Sequence, residues 1–199
     1  MRDSEIVFHN KHGSGQSLID WYTKDNFREP KDFASWVHMS MVMQAYGIGI
    51  RIHATRRAMP YSMGSLYWQL NDAWPAFSWS SLDFYGQWKA LHFRARELYA
   101  TVGVYIHGGG SWKRTKILNA DLVRVSIVND NRHGIEGDFY LELLTFEGRS
   151  VARLQDRIKI PKVKKQDFDF TFDGVNIDSK TMYVRAKYTL TDGKVYEAV

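Results

Sequence analysis

The 199-residue sequence contains no cysteine and only four prolines. The absence of cysteine excludes a disulfide framework and any metal site built from thiolates. No apolar run reaches about 18 residues, the length that a membrane-spanning helix needs, so no membrane segment is predicted. The chain also lacks a glycine-rich phosphate loop, a zinc-spaced histidine pair and a Gly-x-Ser-x-Gly elbow. His9 and His12 lie close together but have no evident third metal ligand. We therefore predict neither a cofactor nor a metal site.

Basic residues exceed acidic ones, with 27 Lys and Arg against 22 Asp and Glu, which gives a formal net charge of +5. The basic side chains are spread along the chain with acids between them. Their densest run contains Lys162, Lys164 and Lys165, and a run this short is typical of a solvated loop. Binding of nucleic acid would require basic and aromatic residues interleaved on one face, so it is not predicted.

Aromatic residues are abundant, with 7 Trp, 11 Tyr and 11 Phe. Such residues suit either a bulky core or the lining of a sugar-binding cleft, because the apolar face of a pyranose stacks on an aromatic ring. In the first half of the chain, apolar residues at three- and four-residue spacings predict a helix from about Phe33 to Arg57. Two glycines, Gly47 and Gly49, are expected to kink this helix or to end it early.

Gly64–Leu70 is short, apolar and aromatic, which predicts a strand buried on both faces, as in a parallel sheet covered by helices. A second helix is predicted from about Gln87 to Tyr99. This order of helix, strand, loop and helix indicates an α/β barrel or a doubly wound sheet.

The second half of the chain changes to the two-residue alternation of half-buried strands. Five such segments end at turn residues, and the final residues 196–199 also resemble a strand. Segments at this spacing indicate an antiparallel sandwich of about 80–100 residues. We therefore predict one domain over residues 1–103 and a second over residues 104–199. The five segments are Leu122–Val128, Asp138–Phe146, Val151–Ile160, Phe168–Phe172 and Met182–Leu190.

The candidate site follows the predicted strand of the first domain. Trp68, Asn71, Asp72 and Trp74 cluster at its C-terminal end, which is the end that carries the active site in α/β barrels. Stacking rings beside amide and carboxylate groups suit a neutral, polyhydroxylated substrate. The alternative is that tryptophans fill the core of a loop while Asn71 and Asp72 cap a turn.

The same region resembles a known family. The runs GSLYWQLND at 64–72, Trp74-Pro75, SWSS at 78–81 and YGQWK at 85–89 resemble glycoside hydrolase family 2, and in particular its β-mannosidase branch. The resemblance covers about residues 5–100. It implies the C-terminal part of a (β/α)8 TIM barrel, followed by an immunoglobulin-like antiparallel β-sandwich.

Under this resemblance, the predicted strand is the eighth strand of the barrel. Trp68 is implied to stack near the sugar whose bond is cleaved, and the Trp68–Gln69 peptide bond is a candidate for the cis form. Asn71, Asp72 and Trp74 are implied to shape the edge of the cleft.

The resemblance implies retaining hydrolysis of β-mannosides from the non-reducing end by two carboxyl groups about 5–5.5 Å apart. In the family, these groups lie at the ends of the fourth and seventh strands, which would precede Met1. We therefore expect this chain alone to be inactive and to self-associate through exposed barrel surfaces. Glu5 follows Ser4, as the family nucleophile follows a serine, but only three residues precede Ser4. Glu5 is not assigned as the nucleophile because such a residue needs a buried strand before it.

Two alternatives remain at this point. One is a β-galactosidase or β-glucuronidase of the same family. The other is a non-catalytic, carbohydrate-binding or structural β-sandwich, which would need Tyr140, Phe146 and Tyr183 to form an exposed platform. The alternation in their segments is interpreted as directing these rings into the core.

Overall fold

The computed structural model describes residues 4–10, 12–107, 122–175, 177–178 and 180–199. The chain divides into two compact units. Unit 1 comprises residues 1–55 and 64–99, and unit 2 comprises residues 56–63 and 100–199. Of the helices within the described ranges, none combines the length and the hydropathy needed to cross a bilayer.

Unit 1 is built from helices and a long loop. Helix α1 spans Ser4–His9, α2 spans Gly15–Asn26, α3 spans Phe33–Arg57 and α4 spans Ala90–Leu98. The helix predicted from Phe33 to Arg57 is confirmed at both ends, and its two glycines neither end it early nor divide it. Helix α4 begins later than predicted because the residues before it form an isolated antiparallel bridge between Leu82 and Trp88.

Helix α3 is held by a hydrogen bond at its first turn and by packing further along its length. The backbone N–H of Ser35 donates to the carboxylate of Asp32 at 2.7 Å, and hydrogen bonding by Ser35 lowers the pKa of Asp32. This bond satisfies one of the free N–H groups of the first helical turn. Further along the helix, a Cβ atom built on Gly49 would lie 3.5 Å from side-chain atoms of Arg94 and Leu98. Helix α4 therefore packs directly against this part of α3.

Gly64–Leu70 does not form a strand, so the prediction of a strand buried on both faces is wrong for the described chain. Leu66 is fully exposed and Trp68 is 73% exposed. A parallel strand is stable only between neighbouring strands, and none of the seven strands in the described ranges pairs with this segment. Its carbonyl groups instead accept hydrogen bonds from the following loop, including one from Leu82 N to Leu70 O at 2.7 Å. The described residues therefore contain no barrel sheet.

Unit 2 contains two antiparallel sheets, and the predicted antiparallel sandwich is confirmed. The three-stranded sheet has the order β1-β2-β5, and the four-stranded sheet has the order β4-β3-β6-β7. All five predicted segments correspond to strands, with ends shifted by a few residues, and β7 covers most of the segment noted at 196–199. The strands are β1 Val102–His107, β2 Leu122–Asn129, β3 Ile135–Thr145, β4 Ser150–Ile160, β5 Lys164–Thr171, β6 Met182–Leu190 and β7 Val195–Ala198.

This strand order is close to one known sandwich arrangement. In the seven-stranded immunoglobulin constant order, the fourth strand lies beside the fifth. Here β4 pairs with β3 over Ile135–Leu144 instead. The core lies between the two sheets and is made by alternate residues of each strand. Fully buried members include Val123, Val125, Ile127, Phe139, Leu141, Leu143 and Tyr188.

The three aromatic residues interpreted as core residues lie elsewhere. Tyr140 alternates with the buried Phe139 and Leu141, and it therefore lies on the outer face of the four-stranded sheet. Tyr183 is only partly buried, and Phe146 is 62% exposed. Their assignment to the core is wrong because Tyr140 shares its parity with charged residues of β3 rather than with the apolar ones.

Candidate functional site

All four predicted site residues lie on the loop between α3 and α4. The Trp68–Gln69 peptide bond is cis, as the family resemblance implied. The indole of Trp68 is 73% exposed, so most of its surface is free to contact a ligand. A flat, exposed ring of this kind suits the apolar face of a sugar.

Asp72 is the hydrogen-bonding centre of the loop. Its carboxylate accepts from the hydroxyl groups of Ser78 at 2.6 Å and Ser80 at 2.5 Å. Gln69 Nε2 donates to Asp72 at 3.2 Å and to the backbone carbonyl of Asn71 at 2.8 Å. Because one carboxylate receives three donors, Asp72 fixes the loop that follows Trp68 and positions the amide of Gln69.

A second network centres on the buried hydroxyl of Ser81. Its Oγ atom donates to the carbonyl of Leu70 at 3.1 Å. The same atom lies 3.0 Å from the hydroxyl of Tyr67 and 3.0 Å from Nδ1 of His92. His92 belongs to α4, so this network fixes the chain on both sides of Trp68 to a helix.

Trp74 is held by helix α1. Its ring stacks on His9 with centroids 5.4 Å apart and an interplanar angle of 20°, and it meets Phe8 edge-on at 5.9 Å. Nδ1 of His9 donates to the carbonyl of Pro75 at 2.6 Å. Trp74 therefore occupies a defined position while part of its ring stays exposed.

The far end of the loop is also tied down. Nζ of Lys89 donates to the carbonyl of Ser78 at 3.2 Å. Burial lowers the pKa of Lys89, while the negative charges of Asp72 and Asp83 act in the opposite direction. From helix α3, Gln44 Nε2 donates to the carbonyl of Trp79 at 2.7 Å. These bonds make the loop an ordered platform rather than a free connection.

The structure therefore brings the four predicted residues together with differing surroundings. Trp68 and Asn71 are exposed to solvent. Trp74 stacks on His9, and the carboxylate of Asp72 accepts three hydrogen bonds. The sequence interpretation missed the serines that hold Asp72, although the run of serines at 78–81 was part of the family motif. Glu5 lies in the first turn of helix α1.

Curated relatives carry the name β-mannosidase. The chain is 29% identical to β-mannosidase A of Aspergillus terreus over 154 residues, which are 73% of this chain and 16% of that protein. It is 41% identical to the β-mannosidase of Bos taurus over 111 residues, which are 49% of this chain and 13% of that protein. The chain thus spans less than a fifth of either relative. No family model matches it.

Solved structures share the fold. A β-D-mannosidase from Dictyoglomus thermophilum superimposes with a TM-score of 0.82 at 23% identity, covering 97% of this chain and 23% of that one. An exo-chitosanase of Amycolatopsis orientalis gives a TM-score of 0.67 at 14% identity, covering 92% of this chain and 21% of that one. Together with the curated relatives, these likenesses confirm that the chain is similar to a segment of the β-mannosidase branch of glycoside hydrolase family 2.

Proposed function

We propose that the full-length protein containing this chain is a retaining, exo-acting glycoside hydrolase that removes β-mannosides from non-reducing ends. The similarity to named β-mannosidases supports the substrate class. The observation that carries the role of this chain is the exposed indole of Trp68, next to a loop fixed by Asp72 and Ser80.

In this proposal, residues 1–103 are the last part of a (β/α)8 barrel, and residues 104–199 are an immunoglobulin-like sandwich. Gly64–Leu70 becomes the eighth barrel strand when its neighbours are present. Coverage of 97% of the chain by the Dictyoglomus enzyme supports this assignment. Trp68 then stacks against the sugar, while Asn71, Asp72 and Trp74 form the cleft edge.

The chain by itself is proposed to be inactive. Retaining hydrolysis needs an acid and a nucleophile about 5–5.5 Å apart, and the carboxylate of Asp72 already accepts three hydrogen bonds. The proposal also includes self-association, because unit 1 exposes Phe8, Trp21 and Leu66. Large exposed apolar groups of this kind favour association.

The test is hydrolysis of an aryl β-mannoside by the full-length protein, its Trp68→Ala variant and this chain alone. Aryl β-galactoside and β-glucuronide are measured in parallel. We expect mannoside hydrolysis in the full-length protein, a loss of about tenfold or more in kcat/KM for the variant, and no rate for the chain. Tyr61→Ala is the control, since Tyr61 is exposed and precedes the part of the loop, from Tyr67 to Lys89, that forms the hydrogen-bonded site.

The outcomes separate the alternatives. Preference for the galactoside or the glucuronide would move the substrate to that sibling class. Hydrolysis by the chain alone would overturn its proposed inactivity, and an unchanged kcat/KM in Trp68→Ala would remove Trp68 from the site.

A further inference from the structure

The outer face of the four-stranded sheet combines an aromatic pair with a row of hydrogen-bonding groups. The rings of Phe146 and Tyr183 are nearly parallel, with an interplanar angle of 10° and centroids 6.1 Å apart. Phe146 is 62% exposed. Tyr183 is partly buried, so the apolar area that the pair leaves available to a ligand is mainly that of Phe146.

A shallow depression of about 420 Å³ lies on the same face. The residues of β3 and β6 that line it face outward, because their strand neighbours point into the core. It is lined by Asp138, Tyr140, Glu142, Arg153, Arg185, Lys187 and Thr189. Every one of these side chains can donate or accept hydrogen bonds.

The charges in the depression are largely paired, either with one another or with the neighbouring Arg157. Arg185 donates to Glu142 at 2.7 Å, and Arg157 donates to Asp138 at 3.0 Å. The guanidinium of Arg153 lies 4.2 Å from the centroid of the Tyr140 ring. Because the charges are paired, the depression attracts a polyanion only weakly. The guanidinium groups of Arg153 and Arg185 are held in place by their partners and can still donate hydrogen bonds to hydroxyl groups.

The dimensions favour a chain of sugars over a single sugar. Tyr183 and Lys187 lie on the same face of β6, four residues apart, which corresponds to about 14 Å along the strand. Tyr140 pairs with Lys187 across the sheet. A ligand that contacts the aromatic pair and the depression together must therefore extend over several units.

We propose that this face binds a neutral oligosaccharide, with the Phe146–Tyr183 pair as the stacking platform and the depression as the polar subsite. The choice of a β-linked mannose chain rests on the proposed function, whereas the platform itself does not. This surface belongs to unit 2, whereas the Trp68 loop belongs to unit 1, and it would hold a polymer rather than hydrolyse it.

The test is calorimetric titration of the 199-residue chain with β-1,4-linked mannohexaose, with cellohexaose and an oligomannuronate of equal length in parallel. We expect mannohexaose to bind and the Phe146→Ala/Tyr183→Ala double variant to bind it about tenfold or more weakly. Tyr61→Ala, which removes an aromatic side chain that is 98% exposed, is the matched control and should bind normally. Circular dichroism confirms that the variants are folded.

A second measurement locates the ligand. Amide resonances of Arg185 and Lys187 should shift on addition of mannohexaose, and they should shift equally in Trp68→Ala. Binding by cellohexaose alone would retain the platform but contradict the proposed substrate class. Tighter binding of the oligomannuronate, unchanged affinity in the double variant, or no binding of either neutral sugar would each overturn the proposal. Loss of binding in Trp68→Ala would assign the ligand to the loop instead.

Discussion

The Nε2 atom of His107 lies 2.8 Å from the hydroxyl of Ser126 on the neighbouring strand. That hydroxyl donates its own proton to Asp167 at 2.6 Å. Since Ser126 has no second proton to give, Nε2 of His107 is the donor, and the neutral ring fits with its proton on Nε2. The three side chains form a continuous hydrogen-bonded line across β1, β2 and β5.

This arrangement predicts a pH-dependent stability of unit 2. Burial lowers the pKa of His107 to about 4 from an ordinary value of 6.5, and the cations Arg57, Arg124 and Lys165 act in the same direction against Asp167. As the pH falls, His107 of the unfolded chain therefore binds a proton near pH 6.5, whereas His107 of the folded chain binds it only near pH 4. The free energy of unfolding should fall as the pH falls through this window.

Urea unfolding followed by circular dichroism between pH 4 and pH 7 measures this effect. His107→Gln keeps a donor towards Ser126 but cannot titrate, so its stability should change much less over the window. His133→Gln is the control, because His133 is exposed. An equal pH dependence in the wild type and in His107→Gln would contradict the assignment. Burial raises the pKa of the Asp167 carboxyl, but hydrogen bonds from Lys165 and Ser126 outweigh it and hold this pKa below its ordinary value of 3.8. The stability that Asp167 contributes is therefore lost only as the pH falls below that value.

The bond between Ser80 and Asp72 should stabilise the site loop. Ser80 is fully buried, and a hydrogen bond to a charged group contributes roughly 1.5–3 kcal/mol. We expect Ser80→Ala to lower the free energy of unfolding by about that amount. In a double-mutant cycle with Asp72→Ala, a coupling of about 1 kcal/mol or more is expected. Ser17→Ala, which removes an exposed hydroxyl, is the control, and purely additive effects would count against the network.

Gly137 should tolerate no side chain. A Cβ atom there would lie 2.2 Å from the backbone carbonyl oxygen of Thr189 on β6, and backbone in the middle of a sheet cannot move aside. Gly137→Ala should cost about 3 kcal/mol, at the upper end of ordinary overpacking, as measured by thermal unfolding. Gly134→Ala is the control, since its Cβ would lie 3.6 Å from the nearest atom. Equal stabilities of the two variants would refute the steric argument.

Val163 has a backbone φ of 50°, which a β-branched residue adopts only with strain. Asparagine tolerates this region better than valine does. Val163→Asn should therefore raise the free energy of unfolding by about 1 kcal/mol, measured by urea titration. Val151→Asn is the control: Val151 is also exposed but lies in strand β4, where asparagine is disfavoured. Destabilisation by both substitutions to a similar extent would contradict the prediction.

The sandwich was predictable because the alternation of apolar and polar residues along each strand shows which residues are buried. Phe139, Leu141 and Leu143 alternate with Asp138, Tyr140 and Glu142, and this period is sufficient to define β3. The same alternation places Tyr140 with Asp138 on the outer face. We had interpreted this alternation as directing Tyr140 into the core, but the more apolar set of Phe139, Leu141 and Leu143 takes the inner face and leaves Tyr140 outside.

Other elements could not be predicted, because their conformation depends on contacts with residues that are distant in the sequence. Gly64–Leu70 has the composition of a central strand, but a strand forms only where neighbours supply hydrogen bonds. Helix α2 was missed because its largest apolar residues, Trp21 and Tyr22, are adjacent and exposed rather than three or four residues apart. Within the site, family motifs located Trp68 and Asp72. The serines that hold Asp72 could be paired with it only in three dimensions.

Residues 56–63 belong to unit 2 although unit 1 continues after them. Within unit 2, Arg56 pairs with Asp130 at 2.8 Å, and Arg57 lies among the charges around His107. If the sandwich were transferred to a related protein by joining the genes at residue 100, it would therefore carry Asp130 without its ion-pair partner Arg56. Recombination that respects the physical unit must exchange two separate stretches of sequence together, because unit 2 is discontinuous in the sequence.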